Sequence, residues 1–106
     1  MLIINNKILP IGRHYMAMNL FGIIFTKGRL SPQLKNHEFI HTLQQLEMLF
    51  LFFYIWYVTE WIIKSIRYKS FFKGYLNISF EREAYSNANK LNYRKHRKAF
   101  NWIHYL

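Results

Sequence analysis

The chain contains no cysteine and no aspartate, and only five glutamates stand against fifteen lysines and arginines in 106 residues. The lack of cysteine excludes disulfides and thiolate ligands, so any bound metal must be held by histidine and carboxylate. It selects no compartment. The scarcity of carboxylates makes the position of each one informative. It also leaves a formal net charge of +10, which calls for an anionic neighbour: phospholipid headgroups, nucleic acid or an acidic partner. No internal repeat or low-complexity tract is present. The segment from Met1 to Lys7 lacks a basic stretch leading into an apolar one, so no secretory signal is expected. The expected location is cytoplasmic, or peripheral to the inner membrane. No apolar run reaches the roughly twenty residues needed to cross a bilayer; the run from Met48 to Val58 has eleven. A chain this short has little core to spare for a second domain, and we read 1–106 as a single domain.

What is present sorts into four regions. Residues 1–30 form an N-terminal strand region. Within it, 1–12 are short apolar runs broken by Asn5, Asn6, Pro10 and Gly12, an irregular arm or a short strand. Residues 14–26 show partial alternation of aromatic and β-branched residues, which predicts a strand, bent or bulged near Gly22. Lys27-Gly28-Arg29 is a turn. Residues 31–69 begin at Ser31-Pro32, a helix start with Ser as cap and Pro at the first helical position; Asn36 is an alternative cap. The helix reads through Glu47 or beyond, into an apolar segment closed by Lys64, Arg67 and Lys69. This apolar helix has two readings. It is a buried central helix, or it is interfacial, with Trp56, Trp61 and the tyrosines at headgroup level and the bases on phosphate. Residues 70–79 read as a loop. Ser79 then caps a helix over 79–92, with Glu81 and Glu83 in its first turn. Residues 93–106 are a basic tail with interleaved aromatics. The fold class is mainly α, with a small strand or hairpin component (α+β).

The most informative motif is His37-Glu38-Phe39-Ile40-His41, an H-E-x-x-H pentad on the first predicted helix. Residues i and i+4 share a helix face one turn apart. Two imidazoles so placed reach one zinc ion at about 2.0–2.1 Å, and the Glu beside the first His can act on a metal-activated water. Glu38 is therefore the candidate catalytic residue, and His37 and His41 are candidate ligands.

A zinc site of this kind needs a third protein ligand and an open position. The candidates are Glu47, Glu60, Glu81, Glu83, His14, His96 and His104. Glu47 follows His41 by six residues on the same helix and projects about 120° away from it. Glu60 lies in the apolar run. Glu81-Arg82-Glu83-Ala84-Tyr85, on a separate helix, offers better geometry: Glu81, Ala84 and Tyr85 share a face, and the small Ala84 lets the two helices approach closely. Glu81 is preferred, with Glu83 as the alternative. Gln44 and Gln45 read as helix surface or as partners of the ligands. His96 and His104 read as solvated or packing residues.

H-E-F-I-H followed some forty residues later by E-R-E-A-Y resembles the gluzincin pattern H-E-x-x-H…E-x-x-A-[DY], carried by membrane zincins of the CAAX-processing and heat-shock types. The longer strings Asn36 to Glu47 and Ile78 to Tyr85 look closer still to small zincin-like proteins of Bacteroidetes, and that likeness runs from Phe21 to Trp102. The resemblance implies a minimal zincin: an edge strand, a pentad helix, a connecting helix and a ligand helix. It places the third ligand on Glu81. Tyr85 stands where the pattern more often has Asp.

The function expected from these residues is zinc-dependent hydrolysis of a peptide or protein substrate. Zinc lowers the pKa of water and polarises the scissile carbonyl. Glu38 moves the proton. Tyr85 and His14 are the candidate oxyanion stabilisers, and segment 17–25 could pair an extended peptide along its edge. The competing class is a non-catalytic basic module binding an anionic membrane or nucleic acid, with a structural or relict zinc site. Nucleic acid is the less expected partner, because no recognised nucleic-acid fold accompanies the tail. Retention of Glu38, which is not a ligand, favours the enzyme.

Overall fold

A computed structural model describes residues 3–6 and 17–106, and among them the chain is mainly helical with one small sheet. His14 lies outside the described residues, as does most of the expected N-terminal arm. Strands β1 (Ile3–Asn5), β2 (Ala17–Leu20) and β3 (Ile23–Thr26) are ordered β1-β3-β2, with β1 parallel and β2 antiparallel to β3. The expected single bent strand is thus a hairpin. Its turn, Phe21-Gly22, has φ of 54° and 84°, the positive values that let a two-residue loop match the twist of its strands. Phe21 is held there by its ring contacts with Phe50 and Tyr54, and its N–H donates to the Tyr54 hydroxyl at 2.8 Å.

Helix α1 spans Pro32–Glu47. Ser31 Oγ accepts the Leu34 N–H at 3.1 Å and Pro32 takes the first turn, as expected. The helix does not run on into the apolar segment. Leu49 and Phe50 adopt positive φ, and the chain turns through 116° into α2, Leu51–Tyr68. No described helix is long and apolar enough to cross a membrane.

Nor is α2 a buried central helix. Only Phe53, Glu60 and Ser65 are buried along it, while Leu51, Phe52, Ile55, Ile62, Ile63 and Ile66 are exposed. Its inward positions go to the groups other elements need. Glu60 accepts from both the N–H and the hydroxyl of Ser79, placing a carboxylate at the positive N-terminus of helix α4, Ser79–Asn87. Ser79 is therefore the first residue of α4 and not its cap, which is Ile78.

The expected loop 70–79 contains a short helix, α3 (Phe71–Leu76), started by Ser70, whose Oγ accepts the Lys73 N–H at 3.2 Å. Gly74 packs so closely on Ser65 that any side chain there would collide with it. Helix α4 stops at Asn87, short of the expected 92. Asn36, read as an alternative cap for its own helix, serves another: its Nδ2 lies 3.0–3.2 Å from the carbonyl oxygens of Asn87, Ala88 and Lys90 at the end of α4. The tail folds back as α5 (Tyr93–His96) and a 3₁₀ turn over Asn101–Tyr105. Trp102 joins Phe53, Ile78 and Phe80 in the apolar core. The tail is thus a structural element of the domain.

Candidate metal centre

His37 and His41 lie one turn apart on the inner face of α1, and α4 brings Glu81 to them. Glu81 Oε1 is 3.0 Å from each histidine Nε2, and the two Nε2 atoms are 3.1 Å apart. All three residues are buried, and together they form a group able to hold a metal ion. Ala84, fully buried, allows the close approach. Ligand atoms bound tetrahedrally at about 2.0–2.1 Å around a single ion lie roughly 3.3–3.4 Å apart, so small side-chain shifts would open this triangle of 3.0–3.1 Å to fit one.

Hydrogen bonding around the triangle fixes which atoms face its centre. Gln44 Nε2 donates to the Phe80 carbonyl at 3.1 Å and to Glu83 Oε1 at 2.8 Å. Its amide is thereby oriented with Oε1 toward His41 Nδ1, 2.7 Å away. A carbonyl oxygen can only accept, so Nδ1 carries the proton and neutral His41 presents the Nε2 lone pair. On Glu81, Oε2 accepts the Tyr57 hydroxyl at 2.6 Å, leaving Oε1 for the centre. Electron pairs from His41 and Glu81 thus converge beside His37 Nε2, and only a cation or a proton satisfies such a point.

The ionisation of the site follows. Burial alone would lower the His41 pKa, but the Glu81 carboxylate outweighs it and holds the group at about 9 in the absence of metal. Burial pushes Glu81 up, yet the two histidines bring it well below the ordinary carboxylate range. Tyr57, half-buried and next to Glu81, has a pKa raised well above 10 by desolvation and by the Glu81 charge, and stays a donor.

Glu83 is not at the triangle. It is fully buried and bonded to Gln44, to the Tyr93 hydroxyl at 2.6 Å and to Arg97 Nε at 2.6 Å. Burial raises its pKa, but the Arg97 and Tyr93 hydrogen bonds more than reverse this and the group is held below its ordinary value. Arg97 also pairs with Glu47 at 2.8 and 3.0 Å. The two glutamates and Arg97 form an anionic–cationic–anionic clasp that joins α1, α4 and the tail, and through Gln44 it orients His41. Glu47 and Glu60, the remaining carboxylate candidates, are thus engaged elsewhere. His96 and His104 are exposed and take no part in the cluster. The Tyr85 ring packs on His37 with centroids 4.2 Å apart, and its hydroxyl meets that of Tyr75 at 2.9 Å.

Glu38 sits beside the triangle without belonging to it. It is buried, and its Oε2 has no hydrogen-bond partner among the described residues. Burial raises its pKa, against the opposing pull of His41 and His37. Glu38, His41 and Glu81 all line a cavity of about 390 Å³ whose other walls are β2, the aromatic side of α2, including Tyr57 and Trp61, and Tyr75 of α3. Asn19 of β2 is locked to α1 by donating to the Glu38 carbonyl and Thr42 Oγ1, both at 2.7 Å.

Sequence reading reached the triangle and Glu38. It did not reach Tyr57 or Arg97. Tyr57 lies in an apolar run and Arg97 in a run of bases, where nothing local distinguishes them from their neighbours. Gln44 had a signal, since i+3 from His41 puts it beside that histidine on the helix. No protein-family model matches the chain, and neither a curated protein nor a solved structure does.

Proposed function

We propose that this protein is a zinc-dependent hydrolase, a metallopeptidase of gluzincin type. The carrying observation is Glu38. A site that only braces the fold needs its ligands; it does not need a further buried carboxylate, one oxygen of it unpartnered, lining the same cavity. His37, His41 and Glu81 would hold the metal. Two histidines and one glutamate without thiolates form the donor set of catalytic zinc sites, which keep a fourth position open. When bound, zinc supplies Lewis acidity, lowering the pKa of water and polarising a carbonyl.

The chain's own residues do the rest. Glu38, its basicity raised by burial, takes a proton from the attacking water and delivers it to the leaving amine. Gln44 and Tyr57 hold His41 and Glu81 in orientation. Among the described strands β2 is an edge strand, and its residues line the cavity, so an extended peptide can lie along it. The aromatic wall from α2 suits an apolar side chain next to the cleaved bond.

Screening a peptide library with the zinc-loaded wild type and with Glu38→Gln tests this reading. Glu38→Gln is expected to keep metal and fold and to lose about 10²–10⁴-fold in cleavage rate. Cleavage by Glu38→Gln at the wild-type rate, or no cleavage by zinc-loaded wild type, would overturn it.

A further inference from the structure

Helix α2 is turned inside out. Its polar residues Glu60 and Ser65 are buried, while Leu51, Phe52, Ile55, Ile62, Ile63 and Ile66 are exposed. Leu49 before it and Phe71 after it extend the apolar surface, at 70% and 80% exposure. Single exposed apolar residues are ordinary, but a continuous run along five helical turns marks a face that another phase or molecule covers. The face is also wide: residues 51, 55, 62 and 66 lie along one side, with 52 and 63 beside them.

Charge decides what covers it. All five glutamates are drawn inward: Glu38, Glu60, Glu81 and Glu83 are buried, and Glu47 is clasped by Arg97 with its side chain 11% exposed. Among the described residues, most lysines and arginines are exposed. Exposed Arg67, Lys69 and Lys73 follow the apolar face directly in the chain. A second copy of a +10 chain would bring like charges together. Nucleic acid offers no apolar phase for the isoleucines. An anionic bilayer satisfies both, taking the apolar face at the acyl boundary and the bases on lipid phosphate. We infer that α2 is an interfacial membrane-docking helix, lying in the plane of an anionic bilayer with Leu51, Ile55, Ile62 and Ile66 inserted and Arg67, Lys69 and Lys73 at the headgroups.

The cavity beside the metal triangle is walled by the other side of this same helix, through Phe53, Tyr54, Tyr57 and Trp61. Docking therefore sets the cavity about one helix diameter from the lipid surface. The inference is independent of peptidase activity, and its test reads neither metal nor cleavage.

Flotation of the full chain with vesicles of phosphatidylcholine alone, and with phosphatidylcholine mixed with phosphatidylglycerol, is the experiment. Wild type is expected to float with the mixed vesicles and to bind at least about tenfold more weakly to phosphatidylcholine alone, the difference shrinking at high salt. The triple variant Leu51→Ser, Ile62→Ser, Ile66→Ser changes residues 64%, 56% and 74% exposed, and circular dichroism verifies its fold. It is expected to lose about a hundredfold or more in partitioning. A second variant, Arg67→Gln with Lys69→Gln, is expected to weaken binding to the mixed vesicles only. Failure of wild type to float with mixed vesicles at low salt would overturn the inference. So would undiminished flotation of a folded triple variant. Sedimentation that finds a stable dimer, dissolved by the triple substitution, would assign the face to a second copy instead.

Discussion

The contact between α1 and α4 and the outer face of α2 follow opposite patterns. In the first, two histidines, three glutamates, two glutamines and two asparagines are buried. In the second, isoleucines and leucine face outward. Each is costly in isolation. A buried carboxylate needs a counter-charge and donors, and an exposed apolar helix needs a covering phase. The difference teaches that hydropathy alone does not place residues in this chain. Polar groups go inside where a histidine–glutamate cluster able to hold an ion and a bonded network receive them, and apolar groups stay outside on α2 of a chain whose net charge is +10.

Breaking the polar side should have the largest effect on folding. Arg97→Ala leaves fully buried Glu83 facing Glu47 without their shared cation. Loss of about 3–5 kcal/mol is expected, read as a fall in urea midpoint. A change under about 1 kcal/mol would show that the clasp is dispensable. Gln44→Ala removes the acceptor that fixes the His41 tautomer. Zinc affinity, measured by competition with a chelating dye, should drop about 10–100-fold with the fold retained; an unchanged affinity would mean that the tautomer is set otherwise.

The same site ties metal to pH. Without metal, His41 is raised from its ordinary 6.5 to about 9. Its protonated form therefore stabilises the metal-free fold fully below about pH 6.5, and that contribution is lost as the pH rises through about 9. Zinc requires the neutral ring, so its binding strengthens over this window. Calorimetry should show a larger rise in Tm on adding zinc near pH 8 than near pH 6.5. An equal or smaller rise would contradict the proposed competition. On the apolar side the effect should be smallest. Ile62→Ser, at an exposed position of α2, is expected to change stability by no more than about 0.5 kcal/mol. A loss of 2 kcal/mol or more by chemical denaturation would show that the face is packed in the folded chain.

Much of this was legible in the sequence because the signals were local. Ser31-Pro32 marks the start of α1, the i, i+4 spacing pairs His37 with His41, and the face shared by Glu81 and Ala84 selects Glu81 over Glu83. What was hidden depends on distant partners. The break after Glu47 rests on Leu49 and Phe50 at positive φ, residues that carry no turn signature. Helix α4 ends at Asn87 because Asn36, 51 residues earlier, meets its last carbonyls. The apolar run at 48–63 reads alike whether it is buried or exposed. Only the inward assignment of Glu60 to Ser79 shows which way α2 faces.

The central claim is that His37, His41 and Glu81 form a zinc site supported, but not joined, by Glu83. Elemental analysis of protein purified in metal-replete, chelator-free buffer tests it most directly, on wild type, Glu81→Ala and Glu83→Gln. The account predicts about one zinc per chain in wild type and in Glu83→Gln, and its loss in Glu81→Ala. Wild type without stoichiometric zinc, or Glu81→Ala that keeps the metal while Glu83→Gln loses it, would contradict the account.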